Sequence, residues 1–538
     1  MINPVNQNKI FWNRGAHINY LRQSSNTSCH NSCTPSFGIT NIINEECLPE
    51  NTRTSIFYVN DYHGKATNME RTITASNMFD RFEPQNPTDK LKLSSGDIML
   101  GEDVGINSVA MKFLKFIGVT ATAVGNHECD MPSKDFIKEL ESMPARLLAC
   151  NIKSAPDSEI MKKIEKSYIQ EINGTKYGII GTIPSDLSSR IKYGKAFQTE
   201  QIEPYDIKGT IASVQEEIDN LKAQGIDKII LLSHSGYSYD TEIAKNTEGL
   251  DVIIGGHSHN LLKGIKKDEN LFYSKNGEPV IITQAGRDGK NFGILNLEFD
   301  KDGIITKAQN NIANTRDFPK NLVAKNIFES ITGKPEVIGI IRTASPILEN
   351  DLLDVNPLGY YGADAIKEKA GADIGFVMAA NIRGYLEEGE VDTVAVEEIS
   401  PFKNKIVKIN YSEKELVDAI KFCAKSFTTE DNKPGLMYTS GLNYTVTKDG
   451  KVLNISFVDK NGKENPIDIK NPREDKFYSV AINDYASSGN DGLSMLNKYA
   501  QAIEKYDWDV CTAIGDKIRK SPQPIDMIDD GRIKIIAS

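Results

Sequence analysis

The chain of 538 residues is too long for a single hydrophobic core, so two domains and an appendage are expected. Its 39% hydrophobic and 25% charged residues are ordinary for a globular protein, and no run approaches the roughly 18 apolar residues of a membrane span. The formal net charge of −11 disfavours a nucleic-acid polymer as partner, so any anion must be handled at a focused local site.

Residues 1–52 are rich in Asn, Ser and Thr without sustained periodicity, and read as a poorly ordered leader. They lack the basic start and apolar block of a secretory signal, so the sequence gives no support for export by that route. Seven cysteines (Cys29, Cys33, Cys47, Cys129, Cys150, Cys423, Cys511) are odd in number and scattered, unlike a disulfide framework. Cys29, His30, Cys33 and Cys47 are compatible with a small metal site. No further ligand sits at a recognisable spacing, and stray thiols are the simpler reading.

The first strand-like run is Thr54–Asn60, β-branched and aromatic, leading straight into Asp61-Tyr62-His63-Gly64. Residues two apart in extended chain point to the same side, so Asp61 and His63 can face one centre. A second strand, Lys90–Ser95, ends in Gly96-Asp97, where glycine lets the backbone come close while the acid points outward. A helical stretch, Val109–Ile117, has one apolar face. Then Ala121–Val124 ends at Gly125 and delivers Asn126, His127, Glu128, Cys129 and Asp130. Each of these turns alone would pass for a solvated loop.

Residues 145–225 alternate short strands with charged helical segments and hold no ligand cluster. Ile226–Ser233 is a buried strand that stops at His234, and Asp251–Ile254 ends in Gly255-Gly256-His257-Ser258-His259. Asn291–Phe299 reads as a closing strand. Five of the seven histidines (His63, His127, His234, His257, His259) therefore follow apolar strand-like runs, while His17 and His30 lie in the leader. Histidines satisfied one by one in a core would not fall this way. Carboxylate oxygens mixed with imidazoles suit two divalent transition ions, not a calcium cage or a zinc–thiolate site. Such a pair activates water and stabilises the attacking and leaving oxygens of a phosphoryl displacement.

Together these segments resemble the calcineurin-like metallophosphoesterases. The longer pattern, from Asn-Asp-x-His-Gly through Gly-Asn-His-Glu-x-Asp to Gly-His-Ser-His, is similar to the 5′-nucleotidase branch. The resemblance implies an α/β fold (α+β overall): a four-layer αββα metallophosphoesterase sandwich at 53–310, a connecting segment at 311–345, and an α/β substrate-binding domain at 346–538. It implies that Asp61, His63, Asp97 and His259 surround one metal, with Asp97 bridging to a second held by Asn126, His234 and His257. Relatives carry Gln, Asn or His at the position of His259. It also makes His127 and Asp130 the catalytic dyad, His127 meeting a phosphoryl or leaving oxygen and Asp130 orienting its ring. The family's usual Phe in this motif is Cys129 here, read as a packing substitution. Zinc, manganese, cobalt and iron all suit the mixed ligands.

In the second half, Ala372–Arg383, Glu398–Val407 and Ala481–Gly492 are similar to the 5′-nucleotidase C-terminal domain, which in that family binds base and sugar. By position Tyr485 matches a base-stacking aromatic, Asp491 the sugar-binding acid and Arg383 the cation of a Gly-Gly-Ile-Arg segment. An aromatic ring beside a carboxylate makes a sound nucleoside site. The chain departs from its relatives where Met378-Ala379-Ala380-Asn381 replaces Asn-Gly-Gly-Gly, and where Leu353 stands for a common arginine. The second stacking aromatic falls near Leu436, Met437 or Tyr438. The resemblance thus implies hydrolysis of nucleoside 5′-monophosphates, with a small-molecule nucleotide as partner. Alternatives on the same centre are a 2′,3′-cyclic-nucleotide phosphodiesterase/3′-nucleotidase and a UDP-sugar hydrolase. A thiosulfate-ester hydrolase is a more distant possibility, and a binding protein that lost its chemistry would not have kept the full ligand set. Relatives are mostly periplasmic, surface-bound or secreted.

Overall fold

The computed structural model describes residues 51–538 apart from 83–86, 102, 131–136, 139–140, 155–157, 188–201, 347, 349, 401, 430–431 and 538. The leader up to residue 50, with Cys29, His30, Cys33 and Cys47, lies outside the described residues. The chain divides into two compact units after Thr332.

The strands of the first unit's two large sheets, in chain order, are β1 (Thr52–Val59), β2 (Asp89–Ser94), β3 (Ala121–Ala123), β4 (Arg146–Leu148), β5 (Ile164–Glu165), β6 (Ser167–Ile172) and β7 (Thr175–Thr182). They continue with β8 (Lys228–Ser233), β9 (Val252–Gly255), β10 (Leu271–Tyr273), β11 (Pro279–Thr283), β12 (Asn291–Phe299) and β13 (Ile305–Asn314). One sheet has the order β13-β12-β1-β2-β3-β4-β5, and the other β10-β11-β9-β8-β7-β6. The neighbours from β1 through β5 are parallel, as are β7, β8, β9 and β11 in the second sheet. Successive carboxyl ends therefore gather on one edge of each sheet, where open α/β sheets bind ligands.

The layering follows from the period of two along each strand. Ile56 and Tyr58 of β1, Leu91 and Leu93 of β2, Ile230 and Leu232 of β8, and Val252 and Ile254 of β9 share one core between the sheets. The alternate residues Phe57 and Val59 face helices α1 (Ala66–Arg81) and α2 (Val104–Ile117) on one side. Ile229, Leu231 and Ile253 face helices α3 (Ile207–Lys222) and α4 (Tyr237–Asn246) on the other. Helix, sheet, sheet and helix make the four layers. On β2 the residues alternating with the leucines are lysines, and Lys90 Nζ donates to the carbonyls of Phe79 (2.9 Å), Asp80 (3.1 Å) and Phe82. A cation at the carbonyl end of α1 complements its dipole.

Asn291–Phe299, expected to close the domain, is followed by one more antiparallel partner, β13, on its outer side. The stretch 311–345, read as a connecting segment, carries elements of both units. β13 reaches Asn314, and helix α5 (Leu322–Thr332) buries Ala324 and Phe328 in the first unit's helix-side core. Val337–Thr343 pairs instead with Gly389–Asp392 and Ile525–Asp526 of the second unit.

The second unit has one core under a five-stranded sheet, ordered Met437–Ser440, Ile374–Met378, Phe477–Asn483, Lys405–Ser412, Glu504–Asp509. A three-stranded and a four-stranded sheet complete it. Among the described residues no helix is long and apolar enough to cross a membrane.

Tyr58 ties the sheets of the first unit together, its buried hydroxyl bonding Thr283 and donating to Asn310 Oδ1 at 2.8 Å. Opposite it, β12 carries Gly293, where an added Cβ would lie 1.9 Å from Tyr58 Cζ. Gly293→Ala must displace that ring, and is expected to cost about 1–3 kcal/mol or more in urea unfolding of the first unit. Wild-type stability in this variant would show that the sheets can separate here without penalty.

Candidate active site

Pairing of β1 with β2 continues past both strands. Asp61 N–H donates to Gly96 C=O and His63 N–H to Asp97 C=O, each at 3.0 Å. This places Asp61, His63 and Asp97 side by side at the carboxyl ends. Asn126 and His127 follow β3, His234 follows β8, and His257 and His259 follow β9. The backbone is unusual at five of these positions, with φ of 51° at Asp61, 48° at His63, 53° at Asp97, 71° at His257 and 62° at His259. Left-handed non-glycine residues cost on the order of 1–3 kcal/mol each and concentrate where geometry serves function. Gly125 is needed for closeness instead, since a Cβ there would lie 2.1 Å from Asp97 Oδ1.

Asp97 is the meeting point. Its Oδ2 lies 3.0 Å from His234 Nε2 and 3.5 Å from His63 Nε2, while Oδ1 accepts the His127 backbone N–H at 2.8 Å. Asp61 Oδ1 is 3.8 Å from His63 Nε2 and 3.4 Å from His259 Nε2. Asn126 Oδ1 and His257 Nδ1 face each other at 2.9 Å. Three sets of donor atoms lie close enough to hold an ion: Asp61, His63 and His259; His63, Asp97 and His127; and Asp61, Asp97 and His234.

The second nitrogens of two imidazoles test whether cations fit. His63 Nδ1 meets Asp288 Oδ1 at 3.1 Å, and His234 Nδ1 meets Ser95 C=O at 2.6 Å. Both partners are acceptors, so both Nδ1 atoms carry the hydrogen and Nε2 is the nitrogen turned toward the carboxylates. Both Nε2 atoms are buried and have no hydrogen-bond partner. Unpartnered buried nitrogens aimed at carboxylates fit divalent cations well.

Electrostatics points the same way. Burial opposes charge on His63, yet the bond to Asp288 and the nearby Asp97 push it up to about 10. Burial likewise opposes charge on His234, but Asp97 and Asp61 raise it to about 10. His257 is lowered to about 4 by burial and by His234. Asp97 is held well below the usual carboxylate range because His234 and His63 outweigh its desolvation. The pocket therefore collects positive charge, as protons or as metal.

His127 stands beside this cluster with its ring edge-on to His63, centroids 5.2 Å apart. Its Nδ1 bonds Asp130 Oδ2 at 2.6 Å. Burial works against its cation, but Asp130 and Asp97 prevail and its pKa is raised. Cys129 Sγ donates to Gly125 C=O, and burial raises its pKa well above that of an ordinary thiol, which suits packing and not attack.

Three further acids had no role in the sequence reading. Glu128 is buried and accepts N–H bonds from Asp97, Ile98 and Gly125 at 2.8 Å and from Met99 at 3.3 Å. It sits inside the Asn-His-Glu motif, and three residues after a glycine turn is a natural place for such a brace. Asp288 follows β11 in a turn between Gly286 and Gly289, the strand-end signature that singled out the other candidate residues. Asp186 lies after β7, within the stretch read as lacking ligands, with Oδ1 3.5 Å from His257 Nε2.

Arg383, Tyr485 and Asp491 belong to the second unit. Ile374–Met378 and Phe477–Asn483 are parallel, and Lys405–Ser412 is antiparallel to the latter. Arg383, Tyr485 and the chain before Lys405 thus fall at one end of that sheet. Tyr485 is 40% exposed and its hydroxyl donates to Asp491 Oδ1 at 3.1 Å. Arg383 Nε donates to Ala380 C=O at 2.7 Å, and its guanidinium lies 5.2 Å from the ring centre of Phe402. Leu436, Met437 and Tyr438 are all buried, so none offers a ring face to a base. The exposed aromatic beside Arg383 is Phe402, which the sequence did not single out.

Glu128→Ala strips the acceptor from four backbone N–H groups that set the Asp97 and Gly125 loops. Bonds to a charged acceptor contribute about 1.5–3 kcal/mol each, so a loss of at least about 3 kcal/mol in unfolding free energy is expected. Bound divalent metal should fall with it. An unchanged melting temperature and metal content would contradict this brace.

Family models match both units: calcineurin-like phosphoesterase over residues 54–261, and the 5′-nucleotidase C-terminal domain over residues 338–498. A trifunctional nucleotide phosphoesterase protein of Bacillus subtilis is 24% identical over 89% of this chain, which spans only 35% of that relative. An apyrase of Anopheles gambiae is 25% identical, covering 82% of this chain and 84% of its own length. The solved 5′-nucleotidase precursor of Thermus thermophilus superposes with a TM-score of 0.61 at 20% identity, covering 90% of this chain and 99% of the other, a likeness of fold. With both halves matched in order, the chain belongs to the 5′-nucleotidase family of calcineurin-like metallophosphoesterases and is a hydrolase of phosphate esters.

Proposed function

We propose that the chain hydrolyses nucleoside 5′-monophosphates to nucleoside and phosphate at a centre of two divalent ions. The observation that carries this reading is the pair of buried, unpartnered Nε2 atoms of His63 and His234 converging on Asp97. Asp61, His63, His259 and Asp97 would hold one ion, and Asp97, Asn126, His234 and His257 the other. Such a pair supplies an activated water and steadies the attacking and leaving oxygens of an in-line displacement at phosphorus.

The chain's own residues account for the rest. Asp97, reached from both sheets, fixes the spacing of the two ligand sets. His127, whose pKa the bond to Asp130 raises, donates to a phosphoryl or leaving oxygen as charge develops there. In the second unit Tyr485 offers a ring face to the base and Asp491 accepts from sugar hydroxyls, with Arg383 as the nearby cation. A wider choice of nucleotide ester is the second reading, favoured by the burial of Leu436, Met437 and Tyr438, which removes the expected second stacking ring. The cyclic-nucleotide and UDP-sugar reactions belong here.

Phosphate release by manganese-loaded protein should be measured on AMP, other monophosphates, a 2′,3′-cyclic nucleotide and a UDP-sugar. Hydrolysis of at least one, with kcat reduced about 10²–10⁴-fold in His127→Ala, is expected. Preference for a cyclic nucleotide or nucleotide sugar over AMP would select the second reading. No hydrolysis of any member by metal-replete protein would overturn both.

Metal uptake should also depend on pH. In ion-free protein His63 and His234 keep protons up to about 10, and each must lose one to become a ligand. Metal binding near pH 7 should therefore release about two protons, and apparent affinity should rise with pH between 6 and 8. His257, neutral above about 4, adds none. Calorimetry in buffers of different ionisation enthalpy measures this count, and a value near zero would contradict the protonation of His63 and His234 in the ion-free protein.

A further inference from the structure

Asp288 is a buried carboxylate that takes no part in the proposed reaction. It is 225 residues from His63 in sequence, yet its Oδ1 lies 3.1 Å from His63 Nδ1, with the two side chains only 11% and 9% exposed. It stands behind the imidazole. The opposite nitrogen, Nε2, is the one facing Asp97 at 3.5 Å and Asp61 at 3.8 Å, so Asp288 is placed to act on the ring and not as a ligand beside it.

The turn that carries Asp288 is fixed independently of the ring. Its backbone N–H donates to Asp61 C=O at 2.6 Å, its C=O accepts from Asn68 Nδ2 at 2.8 Å, and its φ is 58°. Gly289 follows at φ 61°, where a Cβ would lie 2.6 Å from Tyr62 Cδ1. The second carboxylate oxygen lies 3.5 Å from Arg287 Nε. One backbone thus positions both the first-strand ligand Asp61 and the acid that backs His63.

We propose that Asp288 is a positioning residue for the metal centre, accepting the Nδ1–H of His63 and so presenting Nε2 toward Asp61 and Asp97. The inference rests on the two-ion reading above. Its physical basis is that a ligating imidazole is held in one tautomer and one orientation by whatever accepts its other N–H. His234 has a neutral acceptor, the Ser95 carbonyl, for the same purpose. His63 alone of these two is backed by a charge, so the effect of removing it should fall on the ion that His63 helps to hold.

The test uses full-length protein stripped of ions and titrated with Mn²⁺ or Co²⁺, comparing wild type with Asp288→Ala and Asp288→Asn. Two ions per chain are expected for wild type. Asp288→Ala should weaken one of them about 10–100-fold and leave the other unchanged. Its Co²⁺ absorption spectrum should change, and activity should return with excess Mn²⁺. Asp288→Asn keeps an oxygen for the Nδ1–H and should fall between the two. It also carries the test if the alanine variant does not fold. Wild-type affinity for both ions in the variants would overturn the proposal. So would equal weakening of both together with a lower melting temperature of the ion-free protein, the mark of a general structural role. A wild type that takes up no ion would overturn the two-ion reading itself, and this proposal with it.

Discussion

The site depends on one carboxylate. Asp97 receives the backbone N–H of His127 and gives its own to Glu128, while its Oδ2 looks at His63 from one sheet and His234 from the other. Such an arrangement works only if the two sheets are locked face to face and the loops above them cannot drift. The alternating core between the sheets supplies the first condition, with Ile56, Leu93, Ile230 and Ile254 all buried in it. Glu128 supplies the second by taking the N–H groups of both the Asp97 and Gly125 turns.

The same geometry explains why strain collects here. Five residues whose side chains gather at this site adopt left-handed backbone, although each would be easier as part of a longer strand or an ordinary turn. Strand pairing that persists through Asp61 and His63 leaves them little choice. What compensates is electrostatic. Acids and imidazoles packed so closely in a buried space favour bound cations, and this ties the strength of the site to what it binds.

Much of the first unit was legible in the sequence because a period of two and a period of 3.6 are local signals. The strands carrying Asp61, Asp97, His127, His234 and His257 lie where their apolar runs predicted. The position of five histidines at strand ends was enough to place them at one edge. Less legible were features made by chain distant in sequence. Asp288 backs a histidine 225 residues away, and β13 covers a strand expected to be the last. In the second unit the sequence put the second aromatic near Leu436–Tyr438, but all three residues are buried where the edge strand Met437–Ser440 pairs with Ile374–Met378. Phe402 is exposed at the same sheet end, and only packing against Arg383 marks it.

The central claim is that Asp97 stands between two metal positions. Anomalous diffraction from manganese-soaked crystals tests it most directly. Two peaks about 3.5–4 Å apart, on either side of the Asp97 carboxylate, are expected. One set of ligands would be Asp61, His63 and His259, and the other Asn126, His234 and His257. A single ion, or none, at full occupancy of the crystal's binding capacity would contradict the two-ion centre and the phosphoryl chemistry assigned to it.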